Sequence, residues 1–240
     1  MGLFRKKQQE KPFVTVIITA AGASRRMGGG NKQLMSLGGI PVLGRTMLAF
    51  ENSDYVREII VTAPEDQVVP YADLGASLGI SKLKKVVKGG TSRLESAYLG
   101  ACEAAPACDY LAVHDGARPL VTGQIIADVC EAAFAHTAAG AGVPVHDTVK
   151  QVDGERRITQ TVDRDRLMAM QTPQMADRAL LLAAMKKALD EGAEPTDECA
   201  ALERMGVHPL VVESSFENLK ITTPIDLLFA EAILQERGSL

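Results

Sequence analysis

The chain has 240 residues, 46% of them hydrophobic and 23% charged, with a formal net charge of −4. That length can bury a sizeable core, and the balance is ordinary for a globular protein. The acidic excess argues against a nucleic-acid-binding surface as the main function, yet it permits a local cationic cluster that binds a small anion.

The first twelve residues, ending Lys11-Pro12, are polar and basic with no apolar run behind them. They read as a frayed tail on a single domain spanning 13–240, and no secretory signal is expected. Met1-Gly2 invites a myristoylation reading, but Lys6 stands where that motif wants Ser or Thr. No stretch approaches the length of a membrane span. Cys102, Cys108, Cys130 and Cys199 form no C-x-x-C pair and are expected to be small buried thiols in a reduced, cytoplasmic protein.

From Phe13 the pattern alternates. Strands are expected at Phe13–Thr19, Glu58–Thr62, Leu83–Val87, Asp109–His114 and Ala139–Pro144, with helices at Pro41–Asn52, Glu65–Leu78, Ser92–Ala105 and Thr122–His136 between them. Such alternation predicts an α/β fold: a doubly wound, mostly parallel, Rossmann-like sheet that binds ligands at the strands' C-terminal ends. After Pro144, Asp147–Val152 and Arg157–Val162 alternate polar and apolar residues around Asp153-Gly154, a hairpin signal with Asp-Gly supplying the turn. This β-arm, at about 145–168, is too polar for a core of its own, and a lone ribbon is marginal in water. It is expected to pack against another subunit; the alternative is a hairpin folded back over its own sheet. Helices then follow at Ala176–Glu191 and from Thr196-Asp197-Glu198 to about Met205, with strands at Val207–Glu213 and Asn218–Thr222. Thr223-Pro224-Ile225-Asp226 opens a last helix with an N-cap, a proline and an early acid.

Four segments carry candidate chemistry. Ala20-Ala21-Gly22 through Lys32 leaves backbone N–H groups free after a strand and adds Arg25, Arg26 and Lys32, which suits a polyphosphate. It is neither a Walker loop nor the G-x-G-x-x-G fingerprint; the bland alternative is a tight βα turn with its charges in solvent. In Lys88–Ser96, Gly89-Gly90 permits close approach, Ser92 and Glu95 read as a capping box, and Ser96 faces back to the loop. Asp115, at a strand's C-terminal end, is one carboxylate that can share Mg²⁺ with water and phosphate oxygens, and Arg118 can take a second anion bidentately. The competing reading has Asp115 capping the helix from Thr122 with Arg118 as its ion-pair partner. Lys220 either snorkels to solvent or completes a cationic clamp.

Ala20-Ala21-Gly22…Arg26-Met27, Lys32-Gln33, Gly89-Gly90…Arg93…Ser96, Val113–Pro119, Asp147-Thr148-Val149-Lys150, Thr161–Arg164, Gln171–Gln174, Thr196–Glu198 and Asn218–Thr222 occur in that order. Together, from Val14 to Ala230, they resemble the 2-C-methyl-D-erythritol 4-phosphate cytidylyltransferase family. The resemblance implies a nucleotidyltransferase that moves CMP from CTP to methylerythritol phosphate and releases pyrophosphate. By the same resemblance, Ala20, Ala21 and Gly22 hold the nucleotide, Arg26, Lys32 and Lys220 neutralise the phosphates, and Gly90 and Ser96 lie at cytosine and ribose. Asp115 lies near Mg²⁺ with Gly116 beside it, Arg118 and Thr172 fall on the acceptor side, and Thr148 and Arg164 reach the neighbouring subunit's acceptor phosphate in a homodimer.

A phosphomonoester nucleophile is already an anion and needs no triad, so positioning and electrostatics carry the reaction. His114 is accordingly read as packing, not as a base. Rival readings are a ribitol 5-phosphate cytidylyltransferase, a non-catalytic nucleotide-binding module, and a glycosyltransferase using Asp163-Arg164-Asp165 as its metal motif.

Overall fold

The computed structural model describes residues 11–22 and 31–239. Most of the expected tail, and the segment holding Arg25 and Arg26, lie outside them. In chain order the strands are β1 (Val14–Thr19), β2 (Ser36–Leu37), β3 (Ile40–Pro41), β4 (Val56–Ala63), β5 (Leu83–Lys88), β6 (Tyr110–Asp115), β7 (Ala138–Pro144), β8 (Lys150–Val152), β9 (Ile158–Thr161), β10 (Met168–Asp177) and β11 (Leu210–Glu213). The helices are α1 (Val42–Glu51), α2 (Val68–Ser77), α3 (Arg93–Cys102), α4 (Gly123–His136), α5 (Arg178–Asp190), α6 (Glu198–Glu203) and α7 (Pro224–Glu236).

Seven strands form the main sheet in the order β11-β7-β10-β6-β1-β4-β5. All pairings are parallel except those of β10, which runs antiparallel to both β6 and β7. β1 lies inside the sheet, between β6 and β4, and its apolar run serves both faces. Val14, Val16 and Ile18 join the core under α1, α2 and α4, while Ile17 joins the core under α3 and α5. β4 divides the same way, with Ile59 and Val61 on one face and Ile60 on the other. This period-2 split is how near-continuous hydrophobic strands cover two layers of helices.

The structure corrects several expectations. β10 was not foreseen, and the helix expected from Ala176 starts at Arg178 because Ala176 and Asp177 still belong to this strand. Pro173 hid it: a proline cannot donate to the ladder, and here it falls within the register irregularity between Met170 and Gln174. Asn218–Thr222 is not a strand. Its backbone is used sideways, with Ile221 N donating to Ala117 O at 2.8 Å, Arg118 Nη1 to Asn218 O at 2.7 Å and Lys32 Nζ to Ile221 O at 3.1 Å. The strand expected at Val207–Glu213 shortens to β11. The helix expected from Glu65 opens as a 3-10 turn, Glu65–Gln67, before α2. At the chain's end, Asp226 Oδ2 accepts from Thr222 N and Thr223 N, both at 2.8 Å, as the start of α7 requires.

The arm is present. Every residue of β8 and β9 is exposed, so the hairpin does not fold back over its own sheet. Its turn differs from the expected Asp-Gly. Asp153 Oδ1 accepts from Glu155 N and Arg157 N, both at 2.9 Å, and the positive φ, 63°, falls on Arg156. Cys108, Cys130 and Cys199 are buried as expected, but Cys102 is exposed. Among the described residues, no helix is long and apolar enough to cross a membrane.

Candidate active site

A cavity of about 300 Å³ opens at the C-terminal ends of β1 and β6. Ala21, Gly22, Lys32, Gly90, Ser96, Asp115 and Lys220 line it, joined by Thr19, Gln33, Thr91, Ser92, Arg93 and Ala117. The structure thus brings together residues drawn from four separate sequence segments.

Asp115 is the centre. Lys220 Nζ lies 2.8 Å from its Oδ2, Arg118 Nε 3.4 Å from the same oxygen, and Arg93 Nε 3.3 Å from Oδ1. Burial alone would raise this carboxyl, but Arg93, Lys220 and Arg118 outweigh burial and hold it well below the usual carboxylate range. Asp115 is therefore ionised and does not cap the next helix; Thr122 does that, its side chain accepting from Ile125 N. For Arg93, burial acts to lower the guanidinium and is overcome by Glu198 and Asp115, which raise it. Burial prevails at Arg118, lowering it from the ordinary value.

The frame behind Asp115 is a short hydrogen-bond chain. Asp115 N donates to Thr172 Oγ1 at 3.0 Å, and Thr172 Oγ1 lies 3.1 Å from His114 Nδ1. His114 Nε2 meets Arg118 O at 3.1 Å. A carbonyl only accepts, so Nε2 carries the proton and Nδ1 accepts from Thr172. His114 packs edge-on against Phe50 with ring centroids 4.9 Å apart. The Thr172 hydroxyl, expected on the acceptor side, is buried in this frame and does not line the cavity.

The glycine loop is held by Ser96, whose Oγ accepts from Gly90 N at 3.0 Å and donates to Ser92 O at 2.8 Å. Ser92 is the N-cap of α3, its Oγ accepting from Glu95 N at 3.0 Å as the expected box requires, and the Glu95 carboxylate takes the Thr91 N–H at 2.6 Å besides that of Ser92. Gly116 lies behind the wall: a Cβ there would sit 3.1 Å from both Thr19 O and Gln33 Oε1. Ala20 is buried, its N–H on Thr62 O at 2.9 Å. Thr148 and Arg164 are exposed at the base of the arm and do not line their own chain's cavity. Arg26 lies outside the described residues. Arg93 stood in the family-like motif without a role, and neither its placement beside Asp115 nor its partner Glu198 was anticipated; a half-buried arginine meeting two distant carboxylates leaves no spacing signal.

Burial pushes the His114 imidazole down to about 4, from an ordinary 6.5. The unfolded chain therefore takes up more protons between those values. Stability should fall as pH drops through that window, by up to about 1.4 kcal/mol per pH unit. Asp115 acts in the same direction but at lower pH: its depressed carboxyl gives stability that is fully present above 3.8 and lost only in stronger acid. Urea unfolding across the His114 window should show a slope that His114→Gln flattens; an equal slope in both proteins would assign it elsewhere.

The chain matches the family model described as 2-C-methyl-D-erythritol 4-phosphate cytidylyltransferase over residues 14–236. Curated relatives of that name from Caldanaerobacter subterraneus subsp. tengcongensis and Halalkalibacterium halodurans are both 42% identical to it. The matches cover 93% of this chain in each case, and 99% and 97% of the respective relatives. The crystal structure of 4-diphosphocytidyl-2C-methyl-D-erythritol synthase from Anaerococcus prevotii DSM 20548 is similar with a TM-score of 0.84 at 29% identity, covering 93% of this chain and 96% of that one. Together with the cavity around Asp115, these matches place the chain in the 2-C-methyl-D-erythritol 4-phosphate cytidylyltransferase family.

Proposed function

We propose that the chain transfers CMP from CTP to 2-C-methyl-D-erythritol 4-phosphate in the Asp115 cavity, releasing pyrophosphate, as a step of non-mevalonate isoprenoid precursor synthesis. The observation that carries the site assignment is the convergence of Lys220, Arg93 and Arg118 on one buried carboxylate beside the Gly22 and Gly90 loops. Ala21, Gly22 and Gly90 offer close backbone approach, and Ser96 keeps the Gly90 loop in place. Lys32, Lys220 and, from the sequence, Arg26 offset the charge of two anions brought in line. His114, neutral and fully bonded, takes no proton from substrate.

Mg²⁺ fits this chemistry. Among the described residues, no group of three or more His, Cys, Asp or Glu side chains could cage a metal. Mg²⁺ instead favours one or two carboxylates completed by phosphate oxygens and water, and Asp115 is an ionised carboxylate on the cavity wall. When bound there, the ion would draw charge from the α-phosphate and orient it.

Pyrophosphate release from CTP with Mg²⁺ tests the assignment, offering methylerythritol phosphate and ribitol 5-phosphate separately. Release is expected with the first; release with ribitol phosphate alone would transfer the chain to the rival activity.

The arm supports a homodimer in which Thr148 and Arg164 complete the partner's site, since both stand exposed and away from their own cavity. Mixing an Arg164→Ala chain with an Asp115→Asn chain should restore about a quarter of wild-type activity by statistical reassortment of a symmetric dimer. A mixture as inactive as its parents would place both residues in cis.

A further inference from the structure

Arg93 faces two carboxylates. Its Nη1 and Nη2 donate to Glu198 Oε1 and Oε2 at 2.7 and 2.9 Å, whereas its Nε reaches Asp115 Oδ1 only at 3.3 Å. A guanidinium fork serves one carboxylate bidentately, and Glu198 has it. Glu198 is 1% exposed, so water does not compete for its charge.

Its place is set by the same strand that orients Asp115. Asp197 caps α6, its Oδ1 accepting from Ala200 N and its Oδ2 from Gln174 Nε2, both at 2.8 Å. Gln174 Oε1 in turn accepts from Cys199 N at 2.9 Å. Gln174 stands on β10 two residues after Thr172, whose hydroxyl takes the Asp115 N–H at 3.0 Å. β10 therefore fixes both the backbone of Asp115 and the helix end that presents Glu198.

We propose that Glu198 is a positioning residue for the transfer reaction, which rests on placing Asp115 in the active site: it occupies the Arg93 fork and so keeps that fork from capturing Asp115. Three cations, Arg93, Arg118 and Lys220, face two carboxylates here. Without the charge of Glu198, Asp115 is the one carboxylate left to all three. A modest rotation of Arg93 would then give Asp115 a bidentate partner and withdraw its oxygens from the cavity.

Glu198→Gln keeps the volume and removes the charge. In a crystal structure of the ligand-free variant, the Arg93 Nη atoms should move onto the Asp115 carboxylate. In pyrophosphate release, kcat should fall on the order of 10²-fold while the KM for CTP changes by no more than about threefold. The double variant Arg93→Gln/Glu198→Gln should be no slower than Arg93→Gln alone, since the fork that does the harm is gone. An Arg93 that stays off Asp115 in the variant crystal overturns the proposal. So do single-variant effects on kcat that simply add in the double. Should Glu198→Gln fail to fold, Glu198→Asp keeps the charge, is too short to hold both nitrogens, and reads the same quantities. A wild-type chain that releases no pyrophosphate would sink the functional reading instead, leaving the crystallographic result to decide the role of Glu198.

Discussion

Asp115→Asn should lower turnover with CTP and methylerythritol phosphate on the order of 10³-fold and cost about 3 kcal/mol of stability. The asparagine keeps the shape and the N–H bond to Thr172, so the strand end should not move. What is lost is the charge that Lys220, Arg93 and Arg118 surround. Those cations are partly desolvated, and leaving them without their common anion is the larger part of the stability loss. Steady-state kinetics at saturating CTP and a urea titration measure the two effects separately. Turnover within tenfold of wild type would show that the carboxylate does not act on the reacting groups.

Lys32→Ala and Lys220→Ala should each cost about 3 kcal/mol in transition-state stabilisation, roughly 10²-fold in kcat. Their ammonium groups approach the cavity from opposite sides of the chain, Lys32 following the first glycine loop and Lys220 preceding α7. Yet Lys32 Nζ rests on Ile221 O, one residue from Lys220. If both act on one phosphate, the double variant should lose less than the sum of the singles, because either loss already spoils the clamp. Strict additivity would mean that the two lysines serve different groups. Unchanged turnover in Lys32→Ala would remove it from the clamp.

Much of this was legible beforehand, for reasons that can be named. The Val14–Thr19 run and the helices after it announced a doubly wound sheet, because strands buried on both faces must read as unbroken apolar runs. The glycine loops and Asp115 were legible because backbone approach and strand-end carboxylates leave local signatures. β10 was not, because Pro173 and two glutamines, Gln171 and Gln174, interrupt the pattern while the glutamine side chains bond to distant segments. Gln171 Nε2, for example, donates to Ser215 O at 3.1 Å. From its local pattern Lys220 was visible only as an alternative, its role coming from the family resemblance, since its segment is held by side chains from distant elements. The union of Arg93 with Glu198 spans 105 positions, a separation that no window of sequence encodes.

The two sides of the main sheet are unequally defended. Among the described residues, β5 and β11 have no further strand beside them. β5 carries Lys84, Lys85 and Lys88, the kind of charge that repels an approaching chain, whereas β11 presents Leu210 and Val211 in partly exposed form. Mispairing between chains during refolding is therefore directed to a single side, next to β7 and far from the glycine loops. Aggregates that arise this way would carry Asp115 cavities that are still formed and open, so added CTP should be a poor guard against them.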